Sequence, residues 1–181
     1  MKNWIVAALM VVFATLAGCN DGGHDGGPAP APDPQLQDLR ALVDDWRSRQ
    51  EVEYAYEEDT SDERVFSICA GIEEEIEYAY DEPYLQTSDE TLTLMKGWFD
   101  DKAILALVTL LEIGVEKKNM DIVVTRATDG DLEFCLVVRG KAYFTDPKKM
   151  DSREIVCRFA RHYFEIAEPG HLLSEYEWGG V

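Results

Sequence analysis

The sequence Ala-Ile-Leu-Ala-Leu-Val-Thr-Leu-Leu-Glu-Ile-Gly-Val, residues 103–115, is apolar on almost every side of a helix. A helix of this kind either lies in the core of a domain or spans a membrane. The run has about 13 residues, whereas a membrane-spanning helix needs roughly 20. Lys117, Lys118 and Asn119 follow it and suit a helix end. We therefore expect a central core helix, against which the rest of the domain packs.

Upstream of this core helix, an amphipathic helix is predicted to begin after Pro34. Its apolar side chains recur at three- and four-residue steps, at Leu36, Leu39, Val43 and Trp46. We expect the helix to run to about Glu57. A short strand at residues 52–56 is the alternative, because apolar and acidic residues alternate there.

Two copies of Thr-Ser-Asp-Glu, at residues 60–63 and 87–90, predict the starts of two further helices. In such a capping box the threonine hydroxyl accepts a backbone N–H, and the glutamate side chain reaches back to the threonine. The first of these helices is expected to continue to Pro83, and the second to weaken at Gly97. The surrounding sequence repeats weakly, so a helical solenoid is the alternative to a helical layer inside a mixed domain.

Downstream of the core helix the hydrophobic period changes to two. Residues 122–125 and 132–138 predict two strands, and the Asp-Gly between them is a strong hairpin signal. A third strand is expected at residues 141–145. Residues 152–166 carry apolar side chains at helical steps, with a strand as the alternative. The predicted fold class is α+β: an N-terminal layer of about four helices, then a small antiparallel β-sheet and a terminal helix or strand.

The N-terminus has the pattern of a secretory signal peptide: Lys2, then an apolar run from Trp4 to Ala17. The run ends in Leu-Ala-Gly-Cys, residues 16–19, which resembles the lipobox of bacterial lipoproteins. This resemblance implies cleavage before Cys19 and lipidation of the Cys19 thiol. Because Asn20, and not aspartate, follows the cysteine, it also implies an outer-membrane anchor with the domain facing the periplasm.

Residues 20–34 contain no large apolar side chain and are rich in glycine, aspartate and proline. Such a segment is typical of a tether between an anchor and a domain. The expected organisation is a signal peptide at residues 1–18, the lipidated cysteine and tether at 19–34, and one globular domain at 35–181. A chain of that length can bury a single core.

Three cysteines remain if Cys19 is lipidated, in a compartment where disulfides form. Cys135 and Cys157 are the expected pair, because a bond between them would join the hairpin to the segment that packs on it. Cys69 lies on the apolar stripe of a predicted helix, and we expect it to be a buried thiol.

The net charge of −19 is concentrated in residues 51–90, which contain about 15 acidic side chains and a single basic one, Arg64. Such acidity excludes nucleic acid as a natural partner. It favours a basic protein or peptide, attracted by the negative field. Glu73, Glu74 and Glu77 are the predicted contacts, because they point away from the apolar stripe of their helix. The alternative is that these charges only keep a helical surface soluble.

Patterns typical of catalysis are scarce. The sequence has no glycine-rich phosphate loop and no nucleophile-elbow serine. His162, Glu165, Glu168 and His171 include metal-ligating types, but Pro169 and Gly170 interrupt any helix that would align them. We therefore expect no catalytic residue, metal or cofactor.

The functional prediction is a membrane-anchored binding module. An immunity or inhibitor lipoprotein and an envelope assembly factor both fit, because each works through a docking face. The alternative is a periplasmic metal-dependent hydrolase that uses the C-terminal histidines.

Overall fold

The structure is a computed structural model, and it describes residues 33–53, 59–79, 84–161 and 164–181. The predicted signal peptide, the lipidation site Cys19 and the tether up to Pro32 lie outside these residues. Among the helices within the described ranges, none is both long enough and apolar enough to cross a membrane.

Helices come first in the chain and a mixed β-sheet follows, which confirms the predicted α+β class and the helical layer of about four helices. The α-helices are α1 Pro34–Arg49, α2 Asp62–Glu75, α3 Ser88–Leu94 and α4 Phe99–Glu112. This arrangement is not a solenoid. The capping box at α3 forms as predicted between Thr87 and Glu90, whereas α2 is capped one residue later than predicted, by Ser61.

Two helices end earlier than their periodicity predicts. α1 stops at Arg49 because Gln50 is extended, and its side-chain oxygen accepts the backbone N–H of Ser88 at 2.9 Å. α2 stops at Glu75 and does not reach Pro83, because the chain enters the short strand β1, Glu77–Tyr78. β1 pairs in parallel with β2, Lys96–Gly97. In both cases a long-range contact outweighs the local helical preference.

The main sheet has six strands: β3 Met120–Arg126, β4 Leu132–Val138, β5 Lys141–Tyr143, β6 Glu154–Phe159, β7 Glu165–Ile166 and β8 Glu177–Trp178. Their spatial order is β7-β6-β3-β4-β5-β8. The predicted β3–β4 hairpin is confirmed. The sheet is larger than expected and mixed, because the C-terminal strand β8 pairs in parallel with β5.

The helix predicted within residues 152–166 is wrong, and the strand alternative is right. Ile155, Cys157 and Phe159 are buried at every second position, and β6 pairs with β3. Ile155 and Phe159 are four residues apart, which is a helical step, but in β6 an irregularity in the pairing with β3 leaves them in clusters on opposite faces of the sheet. The apolar spacing alone therefore did not separate the two structures.

The core helix α4 packs against β3 and β4 on one face of the sheet. Its buried apolar residues are Ala103, Ile104, Leu105, Ala106, Leu107, Val108 and Leu110. On the other face a second cluster, including Val123, Val137 and Ile155, packs with Met150 and Leu173 from two 3-10 turns. Both faces of the sheet are covered, which explains why β3 and β4 are nearly continuous apolar runs.

The first turn of α4 also buries two charges, Asp101 and Lys102, which are 1% and 2% exposed. The Asp101 carboxylate accepts the backbone N–H of Trp98 and that of Gln86, each at 2.9 Å. It therefore caps α4 and fixes the segment before α3. The Lys102 side chain extends towards α2, where its Nζ lies 3.1 Å from the Glu73 carboxylate.

Gly97 lies where β2 meets α4, and we expect Gly97→Ala to destabilise the domain. An added Cβ would lie 2.8 Å from the Asp101 Cβ, so the buried carboxylate would have to shift and its two hydrogen bonds would weaken. Gly71→Ala in α2 is the control, because nothing lies within 4 Å of the position that its Cβ would take. That change should be neutral or stabilising by about 0.5–1 kcal/mol. Thermal unfolding of both variants checks this, and equal midpoints would contradict it.

Candidate functional site

The described part of the acidic region forms a surface where α2, β1, α3 and β2 meet. The Glu77 N–H donates to the Met95 carbonyl at 3.0 Å, so the end of α2 and the end of α3 lie side by side. We call this area the α3–β1 surface and define it by Glu74, Glu77, Tyr78, Leu92, Leu94 and Met95.

Apolar side chains on this surface are unusually exposed. Leu92, Leu94 and Met95 are 52%, 55% and 43% exposed, and all three lie within four consecutive residues. An isolated exposed leucine is ordinary. Three apolar side chains that are adjacent and bordered by charges are typical of a protein–protein contact site.

The acidic side chains beside this patch lie at the negative end of the α2 dipole, where negative charge is unfavourable. The last turn of α2 contains Glu73, Glu74 and Glu75 and no basic residue. The C-terminus of a helix carries the negative end of the dipole, where each exposed carboxylate costs about 0.3–1 kcal/mol. Glu73 pairs with the buried Lys102, but helix stability gives no reason to place Glu74 and Glu75 beside it. This placement favours a recognition role for the charge.

The three predicted contact glutamates are all exposed, but their environments differ. Glu73 pairs with the buried Lys102 and so has a structural role. Glu77 lies 3.5 Å from Lys96, and both side chains are more than half exposed, so this pair is weak. Glu74 and Glu77 are therefore the predicted residues that remain candidates for partner contact.

An aromatic cluster that the sequence did not predict borders the same surface. The ring centroid of Tyr78 lies 4.4 Å from that of Trp98 and 5.0 Å from that of Phe99. Trp98 and Phe99 are themselves 6.0 Å apart, edge to face. Tyr78 belongs to a segment with helical periodicity, so only its pairing in β1 brings it to the start of α4.

Carboxylates surround this cluster. The pKa of Tyr78 is raised by partial burial and by the charges of Glu133, Asp100 and Glu73. Burial, together with the neighbouring Asp101, raises the pKa of Asp100 to about 7. The local field is therefore negative, and it favours a cationic group over an anionic one.

The predicted Cys135–Cys157 disulfide is incompatible with the structure, in which Cys69, Cys135 and Cys157 are all free and buried. Cys135 lies opposite Val123, and Cys157 lies opposite Val124. Successive residues of a strand face opposite sides of the sheet, so the two sulfurs are on different faces. Their strands flank β3 and lie roughly 9–10 Å apart, beyond the reach of a disulfide.

These thiols are not arranged as nucleophiles. Burial raises the pKa of Cys69, Cys135 and Cys157 to about 12 in each case. A catalytic cysteine requires the opposite shift, since the thiolate is the reactive form. Cys69 is the buried helical thiol that the sequence predicted.

The C-terminal histidines are not brought together into a site within the described residues. His171 Nδ1 lies 3.0 Å from the Glu175 carboxylate in an exposed turn, and His162 lies outside the described residues. In the described ranges, no group of three or more His, Cys, Asp or Glu side chains is arranged to hold a metal ion.

Comparison with known proteins gives similarity of fold only. No protein-family model matches the sequence, and none of the curated proteins matches it. Calcium-bound LapG of Legionella pneumophila is 13% identical, covers 78% of this chain and 93% of its own length, and superposes with a TM-score of 0.52. EGTA-treated LapG of the same organism is 12% identical; the match covers 77% of this chain and 82% of LapG, with a TM-score of 0.54. At this identity the likeness assigns no residue role.

We expect Glu73→Gln to destabilise the domain, and Glu74→Gln to leave its stability nearly unchanged. Neutralising Glu73 removes the carboxylate partner of a lysine that is 2% exposed, at an expected cost of about 1–3 kcal/mol. Glu74 is exposed at the negative end of the α2 dipole, so its neutralisation should lie within about 0.5 kcal/mol of zero or stabilise slightly. Urea unfolding of the two variants tests the difference, and equal free energies of unfolding would refute it.

Proposed function

We propose that this protein is a membrane-anchored periplasmic lipoprotein that acts as an interaction module. It docks a basic protein or peptide on the α3–β1 surface, as an immunity or inhibitor lipoprotein or an envelope assembly factor would. The observation that carries the proposal is the adjacency of the exposed apolar residues Leu92, Leu94 and Met95 to the acidic end of α2.

The two parts of the surface would contribute differently to binding. Apolar side chains at the centre of an interface are desolvated on docking and contribute most of the affinity. Charges at the rim mainly accelerate association, because a negative field steers a basic partner towards the surface. The α3–β1 surface supplies both parts in one continuous area.

The anchor and the tether support the same proposal. Acyl chains stabilise membrane binding by about 0.8 kcal/mol per buried methylene, so two or more chains hold a protein firmly. A sequence rich in glycine, aspartate and proline, like that of residues 20–34, is typical of a tether that lets a domain meet partners some distance from the membrane. The strongly acidic domain is repelled by anionic lipid headgroups, which leaves the α3–β1 surface available to proteins.

The hydrolase alternative has less support in the described residues. It depends on the C-terminal histidines, and His171 is already bound to Glu175 at the surface. No observation in the described part of the chain favours a reaction over binding.

We expect a photo-crosslinking residue at position 94 to capture a partner that the same residue at position 166 does not capture. Leu94 and Ile166 are 55% and 62% exposed, so they match in accessibility, but Ile166 lies on the edge strand β7, away from the α3–β1 surface. The crosslinks are to be made in cells and identified by mass spectrometry. Equal capture of the same protein from both positions would count against docking at this surface.

With that partner purified, kinetics should separate the two parts of the surface. Glu74→Gln together with Glu77→Gln should slow association several-fold and leave dissociation nearly unchanged, since rim charges act on the encounter. Leu94→Ala should accelerate dissociation. Raising the salt concentration should reproduce the first effect, because the Debye length falls below its ~8 Å physiological value. An association rate that changes neither with salt concentration nor in the double variant would refute an acidic docking face.

The membrane anchor is tested by Cys19→Ser. If the Cys19 thiol carries the lipid, the variant should lose incorporation of labelled fatty acid and should no longer partition into detergent as the mature protein does. Cys69→Ser serves as the control, because Cys69 is a buried thiol of the folded domain. Unchanged labelling of the Cys19 variant would overturn the assignment.

A further inference from the structure

We infer that Tyr78 is an arginine-binding platform, on which the guanidinium group of the basic partner stacks; this inference rests on the proposed function. Tyr78 is 47% exposed, so the residue is accessible to a partner. The ring is nevertheless fixed in place by Trp98 at 4.4 Å and by Phe99 at 5.0 Å. A partner would therefore meet a rigid aromatic surface, and ordering the ring would cost little on binding.

The cluster is closely packed and does not form an enclosing cage. The three centroids lie within 6.0 Å of one another, so the rings contact each other and leave no room for a group between them. A flat cation that lies on the outside of a ring fits this arrangement. Guanidinium is planar and stacks on aromatic faces, whereas the lysine ammonium is a compact, strongly hydrated charge.

The protein already makes contacts of this kind within its own fold. The Arg49 guanidinium carbon lies 4.5 Å from the centroid of Tyr84, and that of Arg40 lies 5.2 Å from the centroid of Phe164. At Tyr84 the same arginine also pairs with the Glu90 carboxylate at 2.8 Å. Aromatic face and carboxylate together bind the cation there, which shows that an aromatic ring can serve as one side of an arginine site in this fold.

The charges around Tyr78 remain favourable after the internal ion pairs are considered. Glu73 is bound to Lys102, and Glu133 is bound to Arg153. Asp100 is a further carboxylate that acts on the Tyr78 ring, and with its pKa raised to about 7 it is partly ionised at neutral pH. The positive end of the α4 dipole opposes a cation by about half a charge, and the acidic residues Asp100 and Asp101 in its first turn act against that contribution.

The test uses the full-length lipoprotein in non-ionic detergent and two short synthetic peptides of equal length and charge, one with only arginine as its basic residue and the other with only lysine. Binding is measured by calorimetry at low salt. Wild-type protein should bind the arginine peptide roughly 3- to 10-fold more tightly than the lysine peptide. Tyr78→Leu should abolish this preference and leave the lysine peptide within about 2-fold of its wild-type affinity.

Two variants control for loss of structure and for general aromatic contact. Tyr78→Phe keeps the ring and should keep the preference for arginine. Trp178→Leu removes another aromatic side chain that is 50% exposed, on β8 of the six-stranded sheet, and should also keep the preference. If both peptides bind wild type equally, or if the preference survives Tyr78→Leu, the platform is refuted.

The same measurements distinguish failure of the arginine platform from failure of the docking function. Equal binding of the two peptides that weakens in the Glu74→Gln, Glu77→Gln variant refutes the platform and leaves the acidic docking face standing. Failure of both peptides to bind wild type at low salt overturns both. A preference for arginine that depends on the Tyr78 ring supports both.

Discussion

The buried ion-pairing groups at the start of α4 constrain the whole N-terminal half of the domain. A helix buried on nearly all sides contributes a large apolar area to the core, but Asp101 and Lys102 are buried with it. Each of these charges needs partners, because an unpaired buried charge is far more costly than any single apolar contact is favourable. Asp101 obtains two backbone N–H groups from the chain on either side of α3, and Lys102 obtains the Glu73 carboxylate of α2.

These contacts hold the short elements before α4 in place. The segment before α3 approaches Asp101, and Glu73 near the end of α2 approaches Lys102, two residues before α2 ends. The chain then forms β1 and pairs with β2. That pairing brings Tyr78 onto Trp98 and places the glutamates of α2 beside Leu94 and Met95. The candidate interaction surface therefore adjoins the groups that satisfy the buried charges of the core helix.

The glutamates at this surface fall into two groups, one that stabilises the fold and one that is available for recognition. Glu73 stabilises Lys102, whereas Glu74 and Glu77 are exposed and Glu77 makes only a weak surface ion pair. The fold shared with LapG extends over most of both chains, but a fold supports many functions and does not choose among them. The proposal made here rests on the exposed apolar patch, the aromatic cluster and the placement of charge.

The sequence by itself determined the features that depend on local chemistry. The core helix, the Thr87 capping box, the β3–β4 hairpin and the buried Cys69 each follow from side-chain type and spacing within a few residues. The tertiary structure decided the ends of α1 and α2, the identity of β6 and the positions of the cysteines. It also decided that Tyr78, Trp98 and Phe99 meet. The physical reason is that these outcomes depend on pairings between segments distant in the chain, such as β1 with β2 and Gln50 with Ser88. Local periodicity carries no information about which distant partner will satisfy an extended backbone or a buried charge.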